Sequence, residues 1–320
     1  QGRRLDYLRL AVTDRCNLRC RYCMPAAGVA LGDRDEILSI DELIRVGALF
    51  AGLGVRSFRI TGGEPLVRRG VVSLIAALRA LPSSPEVLLT TNGLLLVEHL
   101  DGLIDAGLKR VNLSLDSLDQ GTWTAITRRE GFERARSAID LVLARGLGLK
   151  LNMVVLPGWN DHELDDFVEL TRERAMTVRF IEPMPFLGEG RLSGPGISGP
   201  EILARLSVRE QVEPEPVRPG AVEKLFRVPG HVGRIGIIEG HSRTFCGTSR
   251  RLRIDARGRL RTCLYGRPSA FLRPLMRAGA DDDALVATVR RAVAGRLADG
   301  VAAETEHRRH NLESMVNIGG

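Results

Sequence analysis

The first 182 residues alternate short apolar runs with helical patterns, and this alternation limits the possible folds more than any other feature. The strand-like runs are Leu8–Val12, Ser57–Ile60, Val87–Thr90, Arg110–Leu115, Lys150–Val155 and Thr177–Glu182. The helical patterns between them lie near Ser39–Ala51, Val71–Ala80, Val97–Ala106, Phe132–Ala144 and Asp161–Arg174. Strand followed by helix, repeated in this way, predicts parallel strands joined by right-handed crossovers. Such sheets carry their chemistry at the carboxyl ends of the strands, so we expect a site at that edge.

The second part of the chain has a different pattern. Residues 183–200 and 213–229 are rich in Gly or Pro, which predicts loops. Short strand pairs around Ile235–Ile238 and Leu252–Cys263 and a helix over Asp282–Ala298 indicate a further region. We therefore divide the chain into a partial barrel over 1–182, a linker or loop region over 183–230 and a C-terminal region over 231–320.

Composition excludes some classes of partner. The chain has 320 residues, of which 44% are apolar, and it contains no run of about 18 apolar residues, so we expect no membrane span. Its first residues lack the apolar segment of a signal peptide, which favours the cytoplasm, where thiols stay reduced. The net charge of +7 suits nucleic acid or a phosphorylated small molecule. Aromatic residues make up only 4%, which argues against a stacking surface for nucleic acid.

Three of the five cysteines, Cys16, Cys20 and Cys23, lie within eight residues. A structural zinc site needs four ligands, so zinc would need a distant His in addition. A disulfide is not expected in a reducing compartment, and it would leave one thiol over. A [4Fe–4S] cluster takes thiolate ligands, and three of them leave one iron open for another molecule. The cluster explains the spacing best, with zinc as the alternative.

The spacing C-x3-C-x2-C, with the segment Thr61-Gly62-Gly63-Glu64-Pro65 after the next strand, resembles the radical S-adenosylmethionine (SAM) superfamily. The resemblance implies that the open iron binds SAM and that the pair generates a radical by reductive cleavage. It also implies that Tyr22 packs on the adenine, although ordinary loop packing would explain this residue too. The other residues that the resemblance assigns to SAM are Gly63, Glu64, Ser114 and Met184.

A narrower resemblance extends over nearly the whole chain. The segments LRLAVTDRCNLRCRYCMP, FRITGGEPLVRR, AGLKRVNLSLDSLD, VRFIEPMP, FCGTSRRLRI and the terminal IGG resemble the GTP 3′,8-cyclase family of molybdenum cofactor biosynthesis. This implies an α/β fold, an incomplete (β/α)6 TIM barrel with a C-terminal α+β region closing its lateral opening. It further implies hydrogen abstraction from ribose C3′ of GTP, attack of that carbon on guanine C8, a reductant protein and a possible homodimer.

The resemblance also assigns residues to the triphosphate. They are Arg9, Arg59, Thr90, Lys150, Arg251 and Arg253. Arg9 and Arg59 lie on strands and are expected to point into the barrel, where a charge is costly without a partner. Arg251 and Arg253 alternate on one strand and share a face, which could also be an exposed polar face. The family's C-terminal tail, here Gly319 and Gly320, is implied to enter the active site as a slim backbone; a frayed chain end is the alternative.

One position departs from the family pattern. The resemblance implies a second [4Fe–4S] cluster on three cysteines, of which this chain has Cys246 and Cys263, whereas Ser249 occupies the middle position. A neutral hydroxyl is a poor iron ligand. The cluster could persist on Ser249 or without that ligand, it could be absent with Arg250 in its space, or the serine could be an engineered change. The alternatives for function are a related radical SAM enzyme for another nucleotide or a peptide, and a cluster-bearing or zinc-bearing nucleic-acid binder.

Overall fold

The computed structural model describes residues 4–184, 196–218, 220–242, 246–308 and 314–319, and every structural statement below concerns these residues. The strands are β1 (Tyr7–Ala11), β2 (Ser57–Thr61), β3 (Glu86–Thr91), β4 (Arg110–Ser114), β5 (Gly148–Val154), β6 (Met176–Ile181), β7 (Glu213–Pro214), β8 (Glu223–Arg227), β9 (Arg234–Ile238), β10 (Arg251–Ile254), β11 (Arg259–Arg261) and β12 (Ala270–Phe271). The helices are α1 (Ile40–Gly52), α2 (Val71–Arg79), α3 (Leu96–Asp105), α4 (Gln120–Thr127), α5 (Phe132–Ala144), α6 (Leu164–Glu169), α7 (Gly199–Leu206), α8 (Leu272–Arg277), α9 (Asp282–Ala294) and α10 (Gly300–Arg308). Across these described segments, none of the helices has the length and apolar character that crossing a membrane requires.

One open sheet organises the described chain. Its order is β12-β11-β10-β1-β2-β3-β4-β5-β6-β9-β8-β7, and β1 to β6 pair in parallel. The C-terminal part of the chain extends both edges, because β10 pairs in parallel with β1 and β9 pairs in parallel with β6. The sheet does not close by hydrogen bonds, since β12 and β7 stand at its two ends. This is the incomplete barrel that the sequence predicts.

The two faces of each barrel strand differ in chemistry. On β1, Leu8 and Leu10 are fully buried in the main apolar core, which also contains Leu43 and Phe50 of α1. Tyr7 and Arg9 alternate with these leucines and therefore point to the other face, into the barrel. Apolar side chains thus bind the sheet to its helices, whereas the inward face carries polar residues together with a few apolar ones such as Val154 and Ile181. This difference between the two faces places the polar site inside the barrel.

The six predicted barrel strands are confirmed within two residues at each end, and the predicted strand pairs correspond to β8 with β9 and β10 with β11. The helix predicted over Asp161–Arg174 is wrong in length, because only Leu164–Glu169 is helical. Before it, the Asn160 side chain closes a turn by accepting from Leu156 N at 2.7 Å, and after it Thr171 N turns back to Val168 O at 2.8 Å. The C-terminal helix likewise ends at Ala294 rather than Ala298.

The region predicted as linker or loop over 183–230 contains regular structure in its described part. Helix α7 begins behind Ser198, whose side chain and Glu201 form a capping box. Strands β7 and β8 then join the sheet beside β9. The Gly and Pro content hid these elements, because short edge strands tolerate proline where no ladder donor is needed. The division of the chain at 182 and 230 stays a prediction.

Candidate active site

A cavity of about 290 Å³ opens at the carboxyl ends of the barrel strands. All five cysteines line it, together with Ser249. The other predicted site residues that line it are Arg9, Arg59, Thr90, Arg251, Arg253, Tyr22, Gly63, Glu64, Ser114 and Met184. Two predicted residues, Lys150 and Gly319, do not belong to the lining, and Gly320 lies outside the described residues. Most predicted site residues therefore share one cavity.

The loop that carries the first three cysteines is fixed by backbone contacts with α4. Arg19 N and Arg21 N donate to the carbonyls of Thr127 and Ile126 at 2.9 and 3.0 Å. Inside the loop, Cys23 N donates to Cys20 O at 2.9 Å. These backbone hydrogen bonds therefore help to fix the shape of the loop. Its thiols are presented to the cavity by a helix that the sequence patterns did not predict.

The three thiols are not arranged as ligands of a single zinc ion, and their burial calls for a cationic centre. Sulfur atoms on one tetrahedral zinc lie about 3.8 Å apart for bonds of about 2.3 Å. The Sγ atoms of Cys16, Cys20 and Cys23 do not all lie within 4.8 Å of one another. Burial raises the pKa of Cys16 to about 11 and that of Cys23 to about 12, and it also raises the pKa of Cys20. Thiolates at this depth need a cationic centre beside them, and three soft donors suit a [4Fe–4S] cluster.

The two glycines after β2 let their backbone pack directly on the cysteine loop. A Cβ at Gly62 would lie 2.5 Å from Thr13 O, and one at Gly63 would lie 2.3 Å from Arg15 O. Gly63 N donates to Thr13 O and Glu64 N donates to Arg15 O, both at 2.9 Å. Any side chain at these two positions would separate the motif from the loop. The glycines therefore fix the distance between this turn and the thiols.

Glu64 connects two turns through hydrogen bonds, a structural role that the sequence did not reveal. Its carboxylate accepts from Leu66 N at 3.0 Å, from Thr91 Oγ1 at 2.8 Å and from Asn92 N at 2.8 Å. These bonds tie the end of β3 to the turn after β2. Burial raises the pKa of Glu64 to about 7, although the hydrogen bonds lower it in part. Its assignment to SAM stays a prediction.

Tyr22 is oriented by Asp116, to which the sequence analysis assigned no role. Its hydroxyl donates to Asp116 Oδ2 at 2.8 Å, and Val154 N donates to Asp116 Oδ1 at 2.9 Å. Burial raises the pKa of Asp116 to about 6 and the pKa of Tyr22 well above its usual value. The ring of Tyr22 is therefore held against the cavity by its polar end. Asp116 follows β4 at the carboxyl edge of the sheet, where the strand pattern predicts it.

An aromatic residue and four arginines line the opposite part of the cavity. The register places Tyr7 beside Arg251, and Arg9 between Arg59 and Arg253. Arg59 Nε donates to the Tyr7 hydroxyl at 2.6 Å, and the guanidinium of Arg251 lies 5.1 Å from the centre of the Tyr7 ring. Burial would raise the pKa of Tyr7, but Arg59, Arg251 and Arg9 outweigh it and lower that pKa to about 8.

The arginine side chains are buried close together, so each lies in the electrostatic field of the others. Burial lowers the pKa of Arg253 to about 10, with Arg251 as the next cause, and burial also lowers the pKa of Arg9 and of Arg251. Cations gathered in this way favour an anion of high charge. The inward direction expected for Arg9 and Arg59 is confirmed, and the exposed-face alternative for Arg251 and Arg253 is wrong, because both line the cavity.

Lys150 binds a carboxylate in this structure, and its assignment to the substrate stays a prediction. Its ammonium binds Glu223, and the second oxygen of Glu223 accepts from Arg179 Nη1 at 2.9 Å. Arg179 does line the cavity. A lone charge inside the apolar strand segment Val178–Ile181 was the available signal for it, by the same reasoning that identified Arg9 and Arg59.

Some polar atoms of cavity-lining residues are buried without a hydrogen-bond partner among the described residues, and they include Thr90 Oγ1, Asn152 Oδ1 and Arg179 Nε. A buried polar group without a partner costs about 1–3 kcal/mol. Two acceptor-capable groups and one cationic donor in one cavity are suited to a polar ligand. Thr90 was predicted, whereas Asn152 and Arg179 were not.

The second cysteine group contains two thiols and one hydroxyl. Cys246 is buried and packs with Tyr265 and Ala303. Cys263 contacts this small group of apolar side chains. Ser249 also lines the cavity, but Arg250 turns away to an ion pair with Asp6. The proposal that Arg250 fills the space of a lost cluster is therefore wrong. This donor set does not fit a cluster with three thiolates.

The C-terminal tail docks on the first cysteine loop. Ser314 Oγ donates to Cys23 O at 2.6 Å, and Val316 N donates to the Cys23 thiol. Met315 and Val316 line the cavity, whereas Gly319 is buried beside it, where a Cβ would lie 3.0 Å from that of Ala11. The described tail is therefore ordered at the cavity rather than frayed. The part played by Gly319 stays a prediction.

The chain resembles known proteins over its whole length. The profile of the Radical SAM superfamily matches residues 10–171, and that of Molybdenum Cofactor Synthesis C matches residues 176–300. A GTP 3′,8-cyclase of Geobacter sulfurreducens is 41% identical over 323 positions that cover 100% of this chain and 98% of that protein. Another, from Moorella thermoacetica, is 42% identical over 99% of this chain and 98% of its own length.

Animal relatives are longer. Molybdenum cofactor biosynthesis protein 1 of Drosophila melanogaster is 43% identical over 86% of this chain but only 49% of its own length, so the chain spans about half of that relative. Among solved structures, Streptococcus suis SuiB bound to its precursor peptide SuiA has a TM-score of 0.60 over 82% of this chain and 60% of that one. The identity is 14%, so this likeness supports the fold alone.

Proposed function

The chain belongs to the radical SAM superfamily and, within it, to the GTP 3′,8-cyclase family, and on that premise we propose that it converts GTP to 3′,8-cyclo-7,8-dihydro-GTP. This is the first step of molybdenum cofactor biosynthesis. One observation supports the proposal most: a single cavity has a complete cysteine triad on one side and a group of buried arginines on the other. The first suits a one-electron cofactor, and the second suits a triphosphate.

Cys16, Cys20 and Cys23 would hold the first [4Fe–4S] cluster, and Tyr22, Gly63, Glu64, Ser114 and Met184 would surround SAM. When bound, this pair supplies the abstraction of a hydrogen atom from ribose C3′. Tyr22 offers a ring fixed by Asp116 through the 2.8 Å bond, so it can pack on a flat base without rearranging. The tail residues Met315 and Val316 lie on the thiol side of the cavity and keep water away from it.

The arginines would bind the triphosphate and orient the ribose toward the thiol side. Arg251 and Arg253 share one face of β10, and Arg9 and Arg59 lie beside them on β1 and β2. Guanidinium groups bind phosphate oxygens in pairs, which fixes direction as well as supplying charge. Thr90 Oγ1 adds an unused polar group on the wall. Positioning by these residues makes the C3′ hydrogen the reachable one.

The proposal carries further expectations about partners. A radical SAM reaction consumes an electron for each SAM cleaved, so a reductant protein must supply it. We place the protein in the cytoplasm on account of its five free thiols, and we expect a homodimer from the resemblance alone. Both expectations are open to direct measurement by fractionation and by light scattering.

A second candidate function rests on Ser249. Two thiols and a hydroxyl at the site of the family's second cluster favour an altered or missing cluster, which would leave the guanine base without its iron ligand. The chain could then act on another nucleotide or on a peptide with the same radical chemistry. The arginine group argues for a nucleotide in either case.

The test is an anaerobic reaction of reconstituted protein with SAM and a chemical reductant. GTP, ATP or no nucleotide is added, and deoxyadenosine is measured. Under the cyclase proposal, GTP stimulates deoxyadenosine formation and a cyclised product accumulates in equal amount. Stimulation by ATP but not by GTP supports the second candidate. Deoxyadenosine formation that no nucleotide changes contradicts both.

A further inference from the structure

A histidine and two glutamates meet at a place away from the cavity, and none of the three lines it. Glu169 is the last residue of α6, Glu210 follows α7, and His231 lies in the turn between β8 and β9. One carboxylate oxygen of each glutamate and one ring nitrogen of the histidine lie within 4.8 Å of one another. Because the three residues come from three separate segments, the fold itself brings these metal-binding side chains together.

Backbone contacts hold the turn that carries His231 against the segment that follows α6. Val232 N donates to Arg172 O at 3.0 Å, and Gly233 N donates to Thr171 O at 2.9 Å. A Cβ at Gly233 would lie 2.9 Å from that of Thr171, so a side chain at this position would push the turn away. The position of His231 is therefore fixed by its two neighbours in sequence.

A threonine determines which ring nitrogen of His231 carries the proton. The Thr171 hydroxyl has a single proton and donates it to Val168 O at 2.8 Å. His231 Nδ1 lies 2.8 Å from the same hydroxyl oxygen, so Nδ1 carries a proton and donates it there. The lone pair is then on Nε2, which is buried without a hydrogen-bond partner among the described residues. A histidine that binds a metal ion has this form, with its other nitrogen bonded to a second protein group.

One cation already contacts this group of side chains. Arg172 Nε and Nη2 donate to the two oxygens of Glu169 at 2.5 and 2.8 Å, and these bonds lower the pKa of Glu169. The carboxylate is therefore ionised at neutral pH. Two carboxylate oxygens offer about four acceptor positions, so each oxygen keeps one for a metal ion. The arginine leaves His231 Nε2 without a donor, so it does not complete the group.

We propose that Glu169, Glu210 and His231 bind a divalent transition-metal ion, and that Zn²⁺ fits this donor set best. Zinc accepts imidazole nitrogen together with carboxylate oxygen, whereas Ca²⁺ and Mg²⁺ prefer oxygen alone. Ligand atoms on one tetrahedral zinc lie about 3.3 Å apart for bonds of about 2.0–2.1 Å, so the side chains have to close in by at most about 1.5 Å. The Glu169 side chain is 57% exposed, which allows this movement.

The ion would connect two parts of the chain. Glu169 lies in the part that matches the Radical SAM superfamily, whereas Glu210 and His231 lie in the part that matches Molybdenum Cofactor Synthesis C. Three protein ligands leave a fourth position for water. The site then has a structural role, because it holds the β8–β9 turn on the end of α6. This inference goes beyond the proposed function and does not depend on it.

The test is zinc binding by the full chain with its cluster reconstituted, measured anaerobically against a competing chelator. Wild-type protein should bind one more Zn²⁺ per chain than His231→Asn. Both proteins keep all five cysteines, so zinc on thiols is the same in both and cancels. Glu169→Gln and Glu210→Gln should each weaken this additional site at least about tenfold. Glu173→Gln is the matched control, since it removes an acid near Arg172 that is not a member of the group.

Two further readouts identify the ligands. Thr171→Val keeps all three ligands but removes the acceptor of Nδ1, and it should weaken zinc binding about tenfold. X-ray absorption at the zinc edge does not record the iron of the cluster. The difference between wild type and His231→Asn should contain nitrogen and oxygen at about 2.0–2.1 Å and no sulfur at about 2.3 Å.

Amide hydrogen exchange tests the structural role. Zn²⁺ should slow exchange at Val232 and Gly233 at least about threefold in the wild type and leave it unchanged in His231→Asn. The same concentration of Ca²⁺ should have no effect. Equal zinc binding by wild type and His231→Asn overturns the inference, and so does a site that neither glutamine variant weakens. Exchange at these two amides that zinc leaves unchanged contradicts the structural role.

Discussion

The two cysteine groups of this cavity differ in how completely the protein prepares them. Cys16, Cys20 and Cys23 are three thiols on a loop that is bonded to α4, packed on two glycines and covered by the C-terminal tail. The second group offers Cys246 and Cys263, with a hydroxyl from Ser249 between them in sequence. Both groups line the same cavity, so the difference lies in donor chemistry and in support.

This difference indicates which residues SAM cleavage depends on and which residues nucleotide binding depends on. The supported triad can hold a cofactor that must cleave SAM in every turnover. The second group is poorer in ligands, so binding of the nucleotide has to rely more on the arginines. Substitutions in each group test the contrast separately.

The largest effect is expected from the first group. Cys20→Ala removes one of three thiolates, so the cluster loses a ligand and SAM cleavage should fall below detection, measured as deoxyadenosine under anaerobic conditions. Cys263→Ala is the matched change in the second group, and it should retain SAM cleavage with dithionite as reductant. Equal loss in both variants would remove the distinction between the groups.

The next change restores the missing thiol. Wild-type protein should hold about four irons per chain after anaerobic reconstitution, and Ser249→Cys should hold about eight, because three thiolates then line the second site. Iron and acid-labile sulfide are measured on the same samples, and Thr248→Cys controls for added thiol alone. About eight irons in the wild type would mean that a serine suffices there.

The arginines should account for most nucleotide affinity if the second site is weak. Arg253→Ala removes a buried guanidinium from the phosphate side, and we expect GTP to bind about 10–100-fold more weakly, measured by equilibrium dialysis. Arg257→Ala, a half-exposed arginine of the β10–β11 turn, is the control. A loss of less than about twofold for Arg253→Ala would place the nucleotide elsewhere.

The smallest expected effect is a pKa shift at Tyr7. Its pKa of about 8 lies below the usual 10, so the native state favours the ionised phenol, and the stability that this contributes grows as pH rises from about 8 to 10. Ultraviolet titration should show one of the three tyrosines ionising near pH 8, and Tyr7→Phe should abolish that step. Tripolyphosphate should raise the midpoint because it screens Arg59 and Arg251. A midpoint that does not move would separate Tyr7 from the phosphate site.

Much of the fold follows from local sequence patterns. The barrel strands were predicted because apolar and β-branched runs recur with helices between them. Helix α4 was missed because QGTWTAIT is poor in strong helix formers, and it begins at an Asp119 cap that only the structure reveals, with Thr122 N bonded to the carboxylate at 2.7 Å. Because this helix was not predicted, its hydrogen bonds to the cysteine loop were not predicted either.

The site was predictable where one motif or one strand holds its residues. The cysteine spacing and the inward direction of Arg9 and Arg59 depend on local chain geometry. The Glu223 contacts depend on the order β6-β9-β8, which brings residues far apart in sequence together. No local pattern contains that order. For the same reason the ion pair between Lys150 and Glu223 could not be predicted.

We claim that the thiol side of the cavity acts on a nucleotide held by the arginine side, and isotope transfer tests this directly. Reconstituted protein is given SAM, reductant and GTP deuterated at C3′, and the deoxyadenosine is analysed by mass spectrometry. Transfer of a single deuterium into deoxyadenosine is the expected result. Deoxyadenosine that forms at the same rate without gaining deuterium would contradict the claim.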